Sequence, residues 1–151
     1  MLREVLMVVQ GIYIWYQKGY NPERLEGNIL SIFQSFKSAY DSKNLKELSR
    51  VISDSYSGSF SSAKSKDDLL QAFKYTFDSL PSLVNINLTI NVYQIVEDSG
   101  ESFKSIVDFK SNLTLLLVPF QSLDSGRLYV EARPDNPYGI WKITSIDIIN
   151  D

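Results

Sequence analysis

The residues best placed to do chemistry lie in "FKSAYDSKNLKELSRVISDSYSGSF", Phe36 to Phe60, where Asp41 and Asp54 stand near helix boundaries beside Tyr40 and Tyr56. A carboxylate held out of water near a tyrosine hydroxyl can act as a general acid or base. Asp108 and Glu131 are two further carboxylates, in segments that alternate like strands. The 151 residues include no histidine and no cysteine. That removes the usual general base, every Ser-His-Asp arrangement, the thiolate nucleophile and zinc-thiolate sites. No D-x-[DN]-x-[DN]-G calcium loop occurs. Catalysis would rest on Asp, Glu, Tyr or Lys, and no metal or cofactor is expected.

Each carboxylate also has a simpler reading. Asp41 reads as a helix-terminus or turn residue and Asp54 as a cap or turn residue. Asp108 shares a strand face with Ile106, and Glu131 shares one with Arg127, Tyr129 and Arg133. A solvated sheet face with arginines near the acids explains both.

The elements that must position these residues follow from periodicity. Ile29, Phe33, Phe36 and Tyr40 recur at steps of four, three and four, one face of a helix that follows the "YNPERLEGN" turn. Leu45, Leu48, Val51 and Ile52 mark a second, shorter helix. "SDSYSGSFSSAKS" is a polar loop with anchoring aromatics. Ser65 precedes Asp68 by three, a cap-like pair, and Leu69, Phe73, Phe77 and Leu80 line a third helix that Pro81 ends. In "VNINLTINVYQIV" apolar residues then alternate with polar ones, as in a strand with one buried face. "EDSGES" reads as a hairpin turn, "FKSIVDFKSNLTLLLVPF" as one long bent strand apolar on both faces in its second half, and "QSLDSG" as the next turn. "RLYVEAR", the turn "PDNPYG" and "IWKITSIDII" complete the chain, with Trp141 as core at the sheet edge. Helices followed by a four-stranded antiparallel meander make an α+β domain.

Composition agrees with a single globular domain: 44% of residues are apolar and 22% charged. A net charge of -3 gives no reason to expect nucleic acid, whose binding requires neutralised phosphates. The N-terminal "VLMVVQGIYIWYQ" falls short of the about 20 apolar residues of a membrane span and lacks a clear signal-peptide pattern. We therefore expect residues 1–20 to be an apolar segment, helix or strand, docked on a single domain of residues 21–151. No membrane span is expected. The sequence does not specify the compartment, with the cytoplasm the expectation.

In this order, three pieces resemble the NTF2-like superfamily, also called SnoaL-like or cystatin-like. They are the first helix running into "AYDSKNLKEL", the "YSGSF" loop followed by "SKDDLLQAF", and the terminal "GIWKITSIDI". The resemblance implies a cone of three helices packed on a curved four-stranded antiparallel sheet, with a pocket between the helices and the concave face. It also implies a homodimer through the outer sheet face, which "LTLLLVPF" suits as a strand needing cover on both sides. Ketosteroid-isomerase-like members use a tyrosine and an aspartate at positions that fall here on Phe36 and at or near Phe60, where a phenyl ring neither donates nor accepts a proton. Dehydratase-like members rely on histidine, which is absent. The resemblance therefore implies a non-catalytic domain that binds a small apolar ligand or a protein, with Phe36, Tyr40, Tyr56, Phe60, Phe73, Phe77 and Asp108 as pocket candidates. One alternative is an isomerase, dehydratase or hydrolase of this fold using Asp108 or Glu131 with a tyrosine. A second is the scaffold subunit of a secretion channel, which "NPYGIWKITSIDI" resembles.

Overall fold

A computed structural model describes residues 27–135 and 139–149. The expected docked segment at 1–20, the Asn-Pro turn before the first helix and part of the "PDNPYG" turn lie outside the described residues. Helix α1 spans Gly27–Asp41, α2 Leu45–Val51 and α3 Lys66–Asp78, with a 3-10 turn at Phe60–Ser62. Four strands follow: β1 Val84–Asp98, β2 Phe103–Leu115, β3 Val118–Pro134 and β4 Trp141–Ile148. They pair in sequence order, each antiparallel to the next. The fold is thus α+β, three helices against a curved four-stranded antiparallel sheet.

The helices form where side chains satisfy their ends and one face meets the sheet. Asn44 caps α2 by accepting from Glu47 N at 3.1 Å, and Ser65 caps α3 by accepting from Asp68 N at 3.2 Å. The faces they bury are those of the helical spacing: Ile29, Ile32, Phe33, Phe36 and Tyr40 on α1, and Leu69, Phe73 and Phe77 on α3. These pack on the inner face of the sheet, where Ile86, Leu88, Ile90 and Val92 of β1 meet Phe103, Val107 and Leu113 of β2 and Leu128, Val130 and Ala132 of β3.

Parts of both sheet edges are covered. Along β1, Lys37 Nζ donates to Leu88 O at 2.6 Å, Asp41 Oδ1 accepts from Leu88 N at 2.7 Å, and Lys43 Nζ donates to Val84 O at 2.6 Å. Along β4, the "SDSYSGS" segment lies as a strap: Ser53, Ser57 and Ser59 donate their N–H groups to the carbonyls of Ile143, Thr144 and Ile146. Polar groups of an open edge invite another chain, and here this chain's own residues occupy those of Val84, Leu88, Ile143, Thr144 and Ile146.

The largest departure from expectation is in "LTLLLVPFQSLDSG". It is not one strand followed by a turn. β2 ends at Leu115, Leu116 and Leu117 make the turn, and β3 begins at Val118, so that "QSLDSG" is strand. The two leucines stand at positive φ, 51° and 68°, and both are more than 80% exposed. The run therefore does not form the doubly apolar sheet face that suggested a dimer surface. The outer face of the sheet is instead mixed, with Asn85, Asn87, Thr89, Asn91 and Tyr93 alternating against the buried residues of β1. Among the described residues no helix is long and apolar enough to cross a membrane.

Candidate ligand-binding site

The apolar faces of α1 and α3 and the inner face of the sheet meet around a cavity. Phe36 and Tyr40 are one turn apart on α1, Phe73 is on the facing side of α3, and Phe60 enters from the 3-10 turn. Their rings touch edge to face: Phe36–Phe73 at 6.0 Å, Tyr40–Phe73 at 5.9 Å and Phe60–Phe109 at 5.8 Å between centroids. Leu88, Ile90, Val107, Leu128, Val130 and Ile146 make the floor. The space between them is about 80 Å³ and almost wholly apolar. A depression of about 190 Å³, edged by Ser61, Ala72, Thr76 and Leu123, shares Tyr40, Phe60, Phe73 and Asp124 with it.

Of the residues expected at a pocket, Phe36, Tyr40, Phe60 and Phe73 line this one. Phe77 sits behind Tyr40, ring to ring at 5.5 Å, and is not in the lining. Tyr56 belongs to the strap along β4: it is buried and its hydroxyl donates to Ile146 O at 3.2 Å. Burial pushes its pKa up to about 12, against a lowering from that hydrogen bond. Asp108 is outside the cavity altogether. It faces the opposite side of the sheet, where Arg127 grips it with Nε at 2.7 Å and Nη2 at 3.2 Å while lying over the Tyr93 ring at 4.1 Å. The physical reason is strand alternation: Val107 and Phe109 point inward, so Asp108 between them points out.

The other carboxylates singled out in the sequence are likewise held by partners away from the cavity. Glu131 accepts from Arg133 at 2.7 Å on the outer face. Asp54 pairs with Lys66 at 2.9 Å, which holds its pKa below the usual carboxylate value. Asp41 accepts from Lys37 Nζ at 2.7 Å as well as from Leu88 N. Its pKa is raised, because burial outweighs these contacts.

Phe33, Phe109 and Asp124 also line the cavity and were not among the pocket candidates. Phe33 and Phe109 carried a signal, the first in the helical spacing and the second in strand alternation. Asp124 carried none, because "QSLDSG" reads as a turn until the hairpin is seen. It is exposed at the cavity mouth, directly opposite Ser111 in the β2–β3 register. Ser111 Oγ lies 2.9 Å from the Tyr40 hydroxyl. Tyr40 has a raised pKa, from burial first, opposed by the Ser111 hydrogen bond and reinforced by the charges of Asp124 and Asp41. Its hydroxyl therefore keeps its proton through the neutral range. Among the described residues no cluster of acids could hold a metal ion.

Neither a protein-family model nor a curated protein sequence matches the chain. Solved structures do. ActVI-ORFA from Streptomyces coelicolor superposes with a TM-score of 0.64 at 11% identity, over 82% of this chain and 95% of that one. A ketosteroid isomerase-like protein from Erwinia carotovora atroseptica gives 0.58 at 14% identity, over 87% of this chain and 100% of the other. A Thiobacillus denitrificans protein described as a calcium/calmodulin-dependent protein kinase type II association domain gives 0.58 at 10% identity, over 87% and 98%. At such identities a likeness speaks for architecture alone, and the architecture of this chain is the NTF2-like, SnoaL-like fold.

Proposed function

We propose that this domain binds a small, flat, mainly apolar molecule in a cone between its helices and the concave sheet face, without performing a reaction on it. The supporting observation is the lining: the rings of Phe36, Phe60, Phe73 and Phe109 surround a floor of aliphatic side chains, and the ionisable lining residues, Tyr40 and Asp124, stand at the mouth. The space of about 80 Å³ is far below the ~300–1,000 Å³ of sites for drug-sized ligands, which favours a ligand of one ring. An isomerase, dehydratase or hydrolase built on Asp108 or Glu131 would need those acids in the cavity, and Arg127 and Arg133 hold them elsewhere.

The test is a titration of the chain with toluene, followed through the methyl resonances of Leu88, Ile90, Val107 and Val130. Saturable shifts at these methyls are expected. Shifts that stay linear up to the solubility of toluene, or that appear only at the exposed Leu116 and Leu117, would remove the reading.

The proposal includes a homodimer through the outer sheet face. Its support is the half-buried set Tyr93, Ile106 and Tyr129, flanked by the Asp108–Arg127 and Glu131–Arg133 pairs. Sedimentation velocity should then give a species of twice the chain mass, weakened by Tyr129→Glu. A monomer across the accessible concentration range would delete the dimer and leave the cavity reading intact.

A further inference from the structure

We propose that the mouth of the cavity is a built site for a hydroxyl group, so that the ligand is a small neutral phenol or ring alcohol, its ring inside and its hydroxyl held by Tyr40, Ser111 and Asp124. This rests on the cavity reading above and adds the polar group that the ligand carries.

The first observation is a count of protons. Tyr40 and Ser111 are 8% and 1% exposed, and a single hydrogen bond joins their hydroxyls. Whichever oxygen accepts, two O–H groups share one bond, so one proton has no acceptor. Neither hydroxyl makes another hydrogen bond among the described residues. A buried donor left without an acceptor is costly, and Tyr40 borders both the inner chamber and the outer depression. The pair therefore has one O–H to offer to an acceptor at the mouth.

The second observation is the acid beside it. Asp124 lies across the strand pair from Ser111 and lines the same two spaces as Tyr40. Directly opposed residues bring their Cβ atoms to ~5 Å. One of its oxygens, Oδ1, accepts from Ser125 N at 2.8 Å; among the described residues Asp124 has no cationic partner. An ionised carboxylate only accepts. The mouth thus offers one donor and one strong acceptor side by side, at the rim of an apolar chamber.

This pairing selects chemistry. A carboxylate ligand has no proton for Asp124 and is repelled by it. An ammonium satisfies Asp124 but has no lone pair for the spare hydroxyl proton. An ether or a plain hydrocarbon leaves one or both groups unmet. A hydroxyl donates to Asp124 and accepts from the Tyr40–Ser111 pair at once, and the aromatic walls take the ring to which it is attached. The raised pKa of Tyr40 keeps the donor in place at neutral pH.

The experiment compares dissociation constants for phenol, toluene, anisole, benzoate and benzylamine on the full chain, by calorimetry or chemical shift. Phenol is expected to bind about tenfold more tightly than toluene, since each net hydrogen bond contributes ~0.5–1.5 kcal/mol. Anisole should resemble toluene, and benzoate should bind most weakly. The double variant Tyr40→Phe, Ser111→Ala removes the donor, and Asp124→Ala removes the acceptor at an exposed position where folding is insensitive. Each should lower the phenol-to-toluene ratio to near one. Equal affinities for phenol and toluene in the natural chain, or a ratio unchanged in both variants, overturns the hydroxyl site while leaving the cavity reading standing. Preference for benzylamine over phenol overturns it in favour of a cation site. Failure of every probe, toluene included, overturns both readings together.

Discussion

Lys37 is buried, yet its ammonium meets three oxygens: Asp41 Oδ2, Asn87 Oδ1 and Leu88 O. Three donors with three acceptors leave nothing unsatisfied, which is why a lysine can stand on the inner side of an apolar helix. Asp41 is the only charge among those acceptors and also takes Leu88 N, so its task is to hold β1 against α1. Asp41→Ala should lower stability by ~3 kcal/mol at pH 7, because it strands a buried ammonium; urea unfolding measures this, and a loss below ~1 kcal/mol would refute the clamp. Tyr56 makes a comparable tie between the strap and β4. Its pKa is raised from 10.0 to about 12. A raised folded-state value means the hydroxyl's contribution is complete below pH 10 and lost as the pH climbs through 12. Tyr56→Phe should therefore cost ~1 kcal/mol at pH 7, with the gap from the natural chain closing above pH 10. A gap that widened with pH would contradict the assignment.

Turns and straps show element-scale rules being bent and kept. A two-residue hairpin loop with both residues at positive φ is normally filled by Asn-Gly or a similar pair. Here Leu116 and Leu117 occupy it at 51° and 68°, where a left-handed conformation costs ~1–2 kcal/mol per L-residue. Replacing them by Asn and Gly should raise stability by ~2 kcal/mol and lower the tendency to associate; an unchanged or lower thermal midpoint would show that the leucines are held by contacts of their own. Gly58 illustrates the opposite case. A methyl group there would overlap the Tyr56 hydroxyl and the Ile146 carbonyl oxygen. Gly58→Ala should lower stability by ~2 kcal/mol or more by lifting the strap from β4, and hydrogen exchange at Ser57 and Ser59 should report the loosening.

At the scale of the whole fold, among the described residues, a depression between α3 and β3 opens onto the cavity. Val130 on the floor is 5% exposed and borders the empty space. Val130→Phe should fill that space, abolish toluene binding and change stability by less than ~1.5 kcal/mol. A loss of ~3 kcal/mol would mean overpacking in a core that has no such void.

Much of this arrangement is legible in the chain. The steps of Ile29, Phe33, Phe36 and Tyr40, the alternation of Ile86 to Val92 and the cap at Ser65 each depend on neighbours within a few residues, so local chemistry dictates them. The helical period put Phe36, Tyr40 and Phe73 on buried faces, and it was the resemblance to the NTF2-like fold that made them and Phe60 pocket candidates. The rest depends on register and on partners distant in sequence. "LTLLLVPF" has no residue that marks a turn, and only pairing Leu115 with Val118 reveals one. That pairing carries Asp124 from an apparent loop to the cavity mouth, opposite Ser111. It was Arg127, nineteen residues from Asp108, that decided the company this acid keeps on the outer face. The sequence by itself determined the elements, their order and the absence of histidine and thiol chemistry. Only the tertiary structure decided which polar groups share the cavity, because strand pairing joins residues whose separation along the chain carries no local signal.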